Sequence, residues 1–262
     1  MADRLKPENK EIVERIRNFE KGLFKDQNFK KYRNYHVPEE LVKSSKRVLS
    51  FGVGGDANFE KLICFDNRDL DVRMFDPTPF TIKNIKNILL RGGFRQFAEI
   101  PNAETVSREI VENNLKFQAI AYAPTNGKMK FYYKTEQGVT NPENALGSFS
   151  LMGAFDNPDN CVEVECKNIE TIMKELAWDS VDILKTDVEG LWYDVGKELD
   201  NIDCKVWVSE LEMGLGISHD EAFDRVRDLC KLHEKKYNFY INRKRLKSMM
   251  EIIFLRKDVD AG

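Results

Sequence analysis

The sequence predicts an α/β protein built on a mostly parallel sheet with helices on both faces. Three observations carry that prediction. Short apolar, β-type runs alternate with helical periods from Val48 almost to the C-terminus. A glycine loop, Phe51-Gly52-Val53-Gly54-Gly55-Asp56, joins the first of these runs to the first helix. Two final runs, Tyr237 to Ile241 and Ile252 to Leu255, read as a closing pair of strands. In a sheet of this kind the ligand belongs at the carboxyl ends of the strands.

The elements follow in order. Residues 1–46 are charged and aromatic, with Phe19, Phe24, Phe29, Tyr32 and Tyr35 among Lys and Arg. Ile12, Ile16 and Phe19 fall at helical spacing, which predicts a helix near residues 8–24, packed on the core or lying as a lid over the site. Val48 to Phe51 is the first core strand, and the helix after the glycine loop carries Phe59, Leu62 and Ile63. Asp71 to Phe75 is the second strand. Thr78 then caps a helix with Pro79 in its first position, and Ile82, Ile85, Leu89 and Leu90 form its apolar face. Residues 116–123 form a third strand, and Lys128 to Lys134 an extra one with Gly127 in the turn. Thr135 to Asn160 is a long loop, and long loops in compact domains often serve function. Residues 161–166 alternate as a strand. Ile169, Ile172, Met173 and Leu176 then mark a helix capped by Asn168. Val181 to Thr186 and residues 205–210 are further strands. Ser218 and Glu221 form a capping box for a helix running to about Lys235.

Composition bounds the function classes. Lys and Arg total 41 against 44 Asp and Glu, a net charge of −3, which argues against a basic nucleic-acid groove. The five cysteines include no Cys-x-x-Cys pair, which points away from zinc and from a disulfide framework and towards a reducing compartment. Neither a signal-peptide pattern nor an apolar run of membrane-spanning length occurs, so the expected location is the cytoplasm, with no membrane partner.

Two motifs point to a nucleotide-like cofactor. Gly52, Gly54 and Ala57 satisfy G-x-G-x-x-A between a strand and a helix, and Gly55 and Asp56 complete the loop. Asp76 ends the second strand 24 residues after Gly52, near the spacing of a ribose-binding acid, and Thr78 follows it. The plainer readings are a structural turn and an acidic helix cap. These motifs alone do not separate S-adenosylmethionine from NAD.

The next signature is Lys185-Thr186-Asp187-Val188-Glu189-Gly190, at the end of a strand. With the glycine loop, the acid-Pro turn and the extra strands, it resembles the FkbM methyltransferase family over roughly residues 46–256. Ser50 stands where an acid commonly precedes the first glycine of that family, and the loop acid here is Asp56. The resemblance implies a Rossmann-like class I methyltransferase fold: a mostly parallel seven-stranded sheet with a C-terminal strand hairpin. It also implies S-adenosyl-L-methionine as cofactor, gripped by Gly52, Gly54, Gly55, Asp56, Asp76 and Thr78. Residues 1–46 then form an N-terminal helical extension and 47–262 the methyltransferase domain. The expected reaction is O-methylation of a hydroxyl on a sugar or other small molecule. An NAD-linked oxidoreductase and a non-catalytic S-adenosylmethionine-binding module are the alternatives.

The catalytic candidates are acids at strand ends and one histidine. Asp187 and Glu189 end one strand, Glu210 and Glu212 the next. Such acids can deprotonate a hydroxyl, orient a substrate or hold Mg²⁺, which prefers oxygen ligands. They can equally cap the helix after Gly190 or pair with Lys185. His219 opens a helix, where the dipole favours a neutral imidazole base. His233 lies on the apolar side of its helix and reads as a packed residue. The basic turn Arg243 to Lys247 reads as a solvated hairpin turn, or a phosphate contact.

Overall fold

The computed structural model describes residues 28–91, 103–133, 141–144, 149–151, 159–212, 218–243 and 249–259. The helix expected near residues 8–24 lies outside them, as do residues 244–247 of the basic turn.

The described chain opens with a hairpin, β1 (Phe29–Tyr32) and β2 (Tyr35–Pro38), then α1 (Glu39–Ser44). The core follows as β3 (Arg47–Phe51), α2 (Asn58–Asp66), β4 (Asp71–Phe75), α3 (Pro79–Arg91), α4 (Ala103–Asn113) and β5 (Leu115–Gln118). Next come β6 (Ala121–Tyr122), β7 (Gly127–Tyr133), β8 (Phe149–Ser150) and β9 (Cys161–Lys167). The chain continues through α5 (Ile169–Leu176), β10 (Ser180–Thr186), α6 (Trp192–Lys197), β11 (Asp203–Glu212) and α7 (His219–His233), and closes with β12 (Tyr237–Arg243) and β13 (Met249–Arg256).

Seven strands form the main sheet in the order β12-β13-β11-β10-β3-β4-β5. The pairs from β11 to β5 are parallel, and the C-terminal hairpin adds β13 and β12 antiparallel. The sheet is thus mixed but mostly parallel, as the sequence pattern predicts. Strands covered on both faces need apolar residues at consecutive positions. In β10 every residue after Ser180 is buried. One face packs Val48, Val72, Met74 and Ile183 against Phe59 and Ile63 of α2 and Ile110 of α4. The other packs Phe51, Leu184 and Trp207 against α5, α6 and α7 through Ile172, Val195 and Leu229. His233 is buried on that second face, and its Nε2 lies 2.8 Å from the Gly196 carbonyl oxygen. At the strand end remote from the site, Asp182 accepts from the Lys46 and Arg47 amides at 2.7 and 2.9 Å and pins β3 to β10. Burial pushes its carboxyl upward, but Lys205 and the two amides outweigh this and hold it below the usual range.

Three details depart from the sequence reading. The strand expected over residues 116–123 is two strands in different sheets: β5 pairs with β4, and β6 pairs with β9. The helix α4 was not expected at all. The face of α3 is also different: Ile82 and Leu90 are 42% and 48% exposed, whereas Thr81 and Ile88 turn inward. The reason is polar docking. Thr81 Oγ1 donates to the Gly54 carbonyl at 3.0 Å, and buried Lys61 of α2 donates to the Ile88 carbonyl at 3.1 Å. Those bonds set the helix rotation ahead of its most apolar stripe.

A second sheet, β6-β9-β7-β8, stands beside the first. Strand β9 leads directly into α5, whose cap is the one expected: the Asn168 side chain accepts from the Thr171 amide at 2.9 Å. Asn168→Ala should lower unfolding free energy by about 1 kcal/mol. Urea denaturation checks this, and an unchanged midpoint would mean that water caps α5 equally well.

Candidate active site

Three strand ends meet at the glycine loop. The Gly52 amide donates to the Phe75 carbonyl at the end of β4, and the Asp187 amide donates to the Phe51 carbonyl at the end of β3, each at 2.9 Å. Gly52 has φ +80°, and a Cβ there would stand 2.1 Å from the Asp187 carbonyl oxygen. Only glycine permits both the left-handed turn and this approach. Gly54 is also left-handed, with φ +63°, but a Cβ on it would meet nothing within 4 Å.

Asp76 is buried and holds the loop from the side. Its Oδ2 accepts from the Gly54 amide at 2.7 Å and its Oδ1 from the Thr78 amide at 2.8 Å. Each carboxylate oxygen keeps a lone pair for a further donor. Thr78 Oγ1 in turn accepts from the Thr81 amide at 3.3 Å, the cap expected for α3.

Beneath the loop, buried Lys185 donates from Nζ to the Gly52 carbonyl and, at 3.5 Å, to that of Phe51. Ser50 occupies the strand position facing Lys185 and donates to Glu60 of α2. Burial raises the Glu60 carboxyl, against the opposing pull of Lys185 and Ser50. An acid of α2 therefore lies directly against Ser50 beneath the loop.

Asp187 is the outermost group of this cluster. Its side chain is 40% exposed, its Oδ2 lies 3.9 Å from Lys185 Nζ, and it accepts from the Tyr35 phenol at 2.8 Å. Asp187 does not cap the following helix: α6 starts after Leu191 with no side-chain cap. The turn that precedes α6 uses Gly190 at φ +83°.

These strand ends open on a cavity of about 390 Å³, in the size range of small-molecule sites. Gly52, Gly54, Asp76 and Thr78 line it together with Asp187, Glu189 and Glu210. Phe51, Phe75, Tyr122, Phe131 and Phe149 make it largely aromatic, and Asn34, in the turn of the N-terminal hairpin, reaches its rim. Phe149 and Leu151 come from the long loop of the sequence reading.

Six of the predicted site residues therefore meet at one cavity: Gly52, Gly54, Asp76, Thr78, Asp187 and Glu189. Gly55 and Asp56 do not line it. Asp56 instead accepts from the Asn58 amide at 3.1 Å and from Arg33 at 3.2 Å. The side chains of His219 and Glu212 lie outside the described residues. Among the described residues, no group of three or more His, Cys, Asp or Glu is arranged to hold a metal ion.

A family model for the methyltransferase FkbM domain matches residues 36–239, more than three quarters of the chain. The chain belongs to the FkbM methyltransferase family. It is an S-adenosylmethionine-dependent methyltransferase, and the NAD-linked alternative falls away. No curated protein sequence matches this FkbM methyltransferase. Among solved structures it is similar to the METTL16 methyltransferase domain, with 9% identity and a TM-score of 0.44. That match covers 84% of this chain and spans 65% of the other. It is also similar to the fibrillarin pre-rRNA processing protein of Methanococcus jannaschii, with 9% identity and a TM-score of 0.43, covering 88% of this chain and 71% of that one. A third likeness is to a putative O-methyltransferase from Klebsiella pneumoniae, with 7% identity, a TM-score of 0.38, and coverage of 96% and 90%. No helix among the described residues is long and apolar enough to cross a membrane.

The sequence reading missed Asn34 and Tyr35 as site residues of this FkbM methyltransferase, and also Glu60. Their only signal was indirect: the N-terminal segment is too aromatic for a free tail, and Glu60 is an acid on an otherwise apolar helix face. The cofactor test follows from Asp76. Calorimetry should show S-adenosylhomocysteine binding to the wild type and NAD failing to bind. Asp76→Ala should weaken the S-adenosylhomocysteine affinity by about 1.5–3 kcal/mol, the loss expected for charged hydrogen bonds. Unchanged affinity in the folded variant would remove Asp76 from the cofactor site.

Proposed function

We propose that this methyltransferase transfers the methyl group to a hydroxyl oxygen of a small-molecule or carbohydrate acceptor. The observation that carries the proposal is the half-exposed Asp187 carboxylate on the cavity wall next to the glycine loop, with no helix-capping duty. S-adenosylmethionine, when bound, supplies an activated methyl group on a sulfonium.

The chain supplies the rest. Gly52, Gly54, Asp76 and Thr78 are the residues we assign to holding the cofactor. The loop lets the ligand approach main chain closely, and Asp76 offers lone pairs to ribose hydroxyls. The five aromatic side chains exclude water, which favours a reaction that removes charge in its transition state. Asp187 takes the proton of the acceptor hydroxyl as the oxygen attacks. Glu189 and Glu210, which also line the cavity, orient further hydroxyls of a polyol, and His219 is the reserve base. Alignment of the reactants can lower the barrier by about 7–11 kcal/mol. The immediate partners of Asp187 are a phenol and an ammonium group, and the ammonium charge opposes a Mg²⁺ ion beside it. With a net charge of −3, nucleic acid is not the expected acceptor.

Incubation with tritium-labelled S-adenosylmethionine and a mixture of sugars and polyols should yield alkali-stable, O-methylated products. Label entering RNA or an amine while every hydroxyl compound stays unlabelled would overturn the reading.

A further inference from the structure

The N-terminal hairpin reaches the cavity with Asn34 and the Asp187 carboxylate with the next residue, Tyr35. Asn34 stands at its rim, and Tyr35, on β2, is buried with its phenol against Asp187. Neither lies in the span matched by the family, which starts at residue 36.

Tyr35 is fixed on every side. Its ring packs edge-on to Phe59 of α2 at 5.4 Å between centroids, and Lys185 Nζ stands 5.3 Å from its ring centre. Its hydroxyl donates to Asp187 Oδ2, the same oxygen that faces Lys185. Burial, together with the negative charges of Asp187, Glu210 and Glu251, holds the phenol protonated, so it stays a donor. Both contacts thus secure one oxygen of a carboxylate that is otherwise half-exposed. Asp187 Oδ1 carries no hydrogen bond or ion pair to the described residues and remains for the acceptor.

We propose that Tyr35 is a positioning residue: its phenol locks the Asp187 carboxylate so that Oδ1 meets the acceptor hydroxyl. This rests on the reading of Asp187 as the base. It makes the N-terminal hairpin part of the catalytic apparatus rather than a passive extension.

The test is a double-mutant cycle of Tyr35→Phe and Asp187→Asn, which keeps ring packing and side-chain shape. Turnover is followed with tritium-labelled S-adenosylmethionine and, as acceptor probe, a mixture of methyl glucoside, glycerol and inositol. Tyr35→Phe should lower kcat about tenfold or more, the kinetic equivalent of one charged hydrogen bond. KM for S-adenosylmethionine should stay within about twofold, since no binding contact is removed. In the Asp187→Asn background the same substitution should have almost no effect. Wild-type kcat in Tyr35→Phe, or an undiminished loss in the double variant, would overturn the proposal. Full turnover in Asp187→Asn would instead sink the reading of Asp187 as the base. If the probe mixture proves not to contain an acceptor, crystal structures decide: Tyr35→Phe should show the Asp187 carboxylate rotated from its wild-type position, and an unmoved carboxylate overturns the proposal.

Discussion

Gly52→Ala is expected to cost about 2–5 kcal/mol of stability and to abolish cofactor binding. The left-handed conformation at φ +80° carries a penalty of about 1–2 kcal/mol for a residue with a Cβ. The new methyl group would also stand 2.1 Å from the Asp187 carbonyl oxygen, a backbone atom that no rotamer change can move aside. Forcing that much overlap typically adds about 1–3 kcal/mol. Relief requires the ends of β3 and β10 to separate, which breaks the hydrogen bond from the Asp187 amide to the Phe51 carbonyl and the Lys185 clamp on the loop carbonyls. Gly54→Ala is the control. It carries the conformational penalty alone, about 1–2 kcal/mol, because its Cβ meets open space. Thermal unfolding of both variants checks the ranking. Equal melting temperatures would mean that the contact between loop and strand is not as tight as described.

Asp187→Asn is expected to lower kcat by about 10²–10⁴, the range for loss of a general base, with S-adenosylhomocysteine affinity little changed. The amide keeps the shape and can still accept from Tyr35, but it cannot take a proton at neutral pH. If the acid acts as a base and not through a bound cation, EDTA leaves the wild-type rate unaltered. A near-normal rate accompanied by a lower melting temperature would move Asp187 from the chemistry to the scaffold.

The parts of this site that were legible in the sequence are those set by local geometry. Gly52, Gly54 and Asp76 follow from a strand, a turn and an acid at fixed spacing. The Asn168 and Ser218 caps likewise follow from residues within one helical turn. What was not legible depends on distant parts of the chain. Tyr35 meets Asp187 across 152 residues of sequence, and no local pattern encodes that meeting. The apolar run from Phe117 to Ala123 contains no Gly or Pro, so nothing marks where the chain leaves one sheet for the other. The rotation of α3 follows from two hydrogen bonds made by Thr81 and Lys61, which a count of apolar positions does not weigh. Helix α4 was overlooked, although Val106, Ile110 and Val111 carry helical spacing.

The central claim is that one cavity, walled by the glycine loop, Asp76 and Asp187, holds the cofactor with its reactive side towards the acid. A crystal structure of the protein with S-adenosylhomocysteine tests this most directly. The account predicts the ribose hydroxyls within hydrogen-bond distance of Asp76, main chain of Gly52 or Gly54 against the ligand, and the sulfur facing the part of the cavity where Asp187 lies. Ligand density elsewhere on the sheet, or a sulfur turned away from Asp187 with Tyr35 and Asp187 still joined, would contradict it.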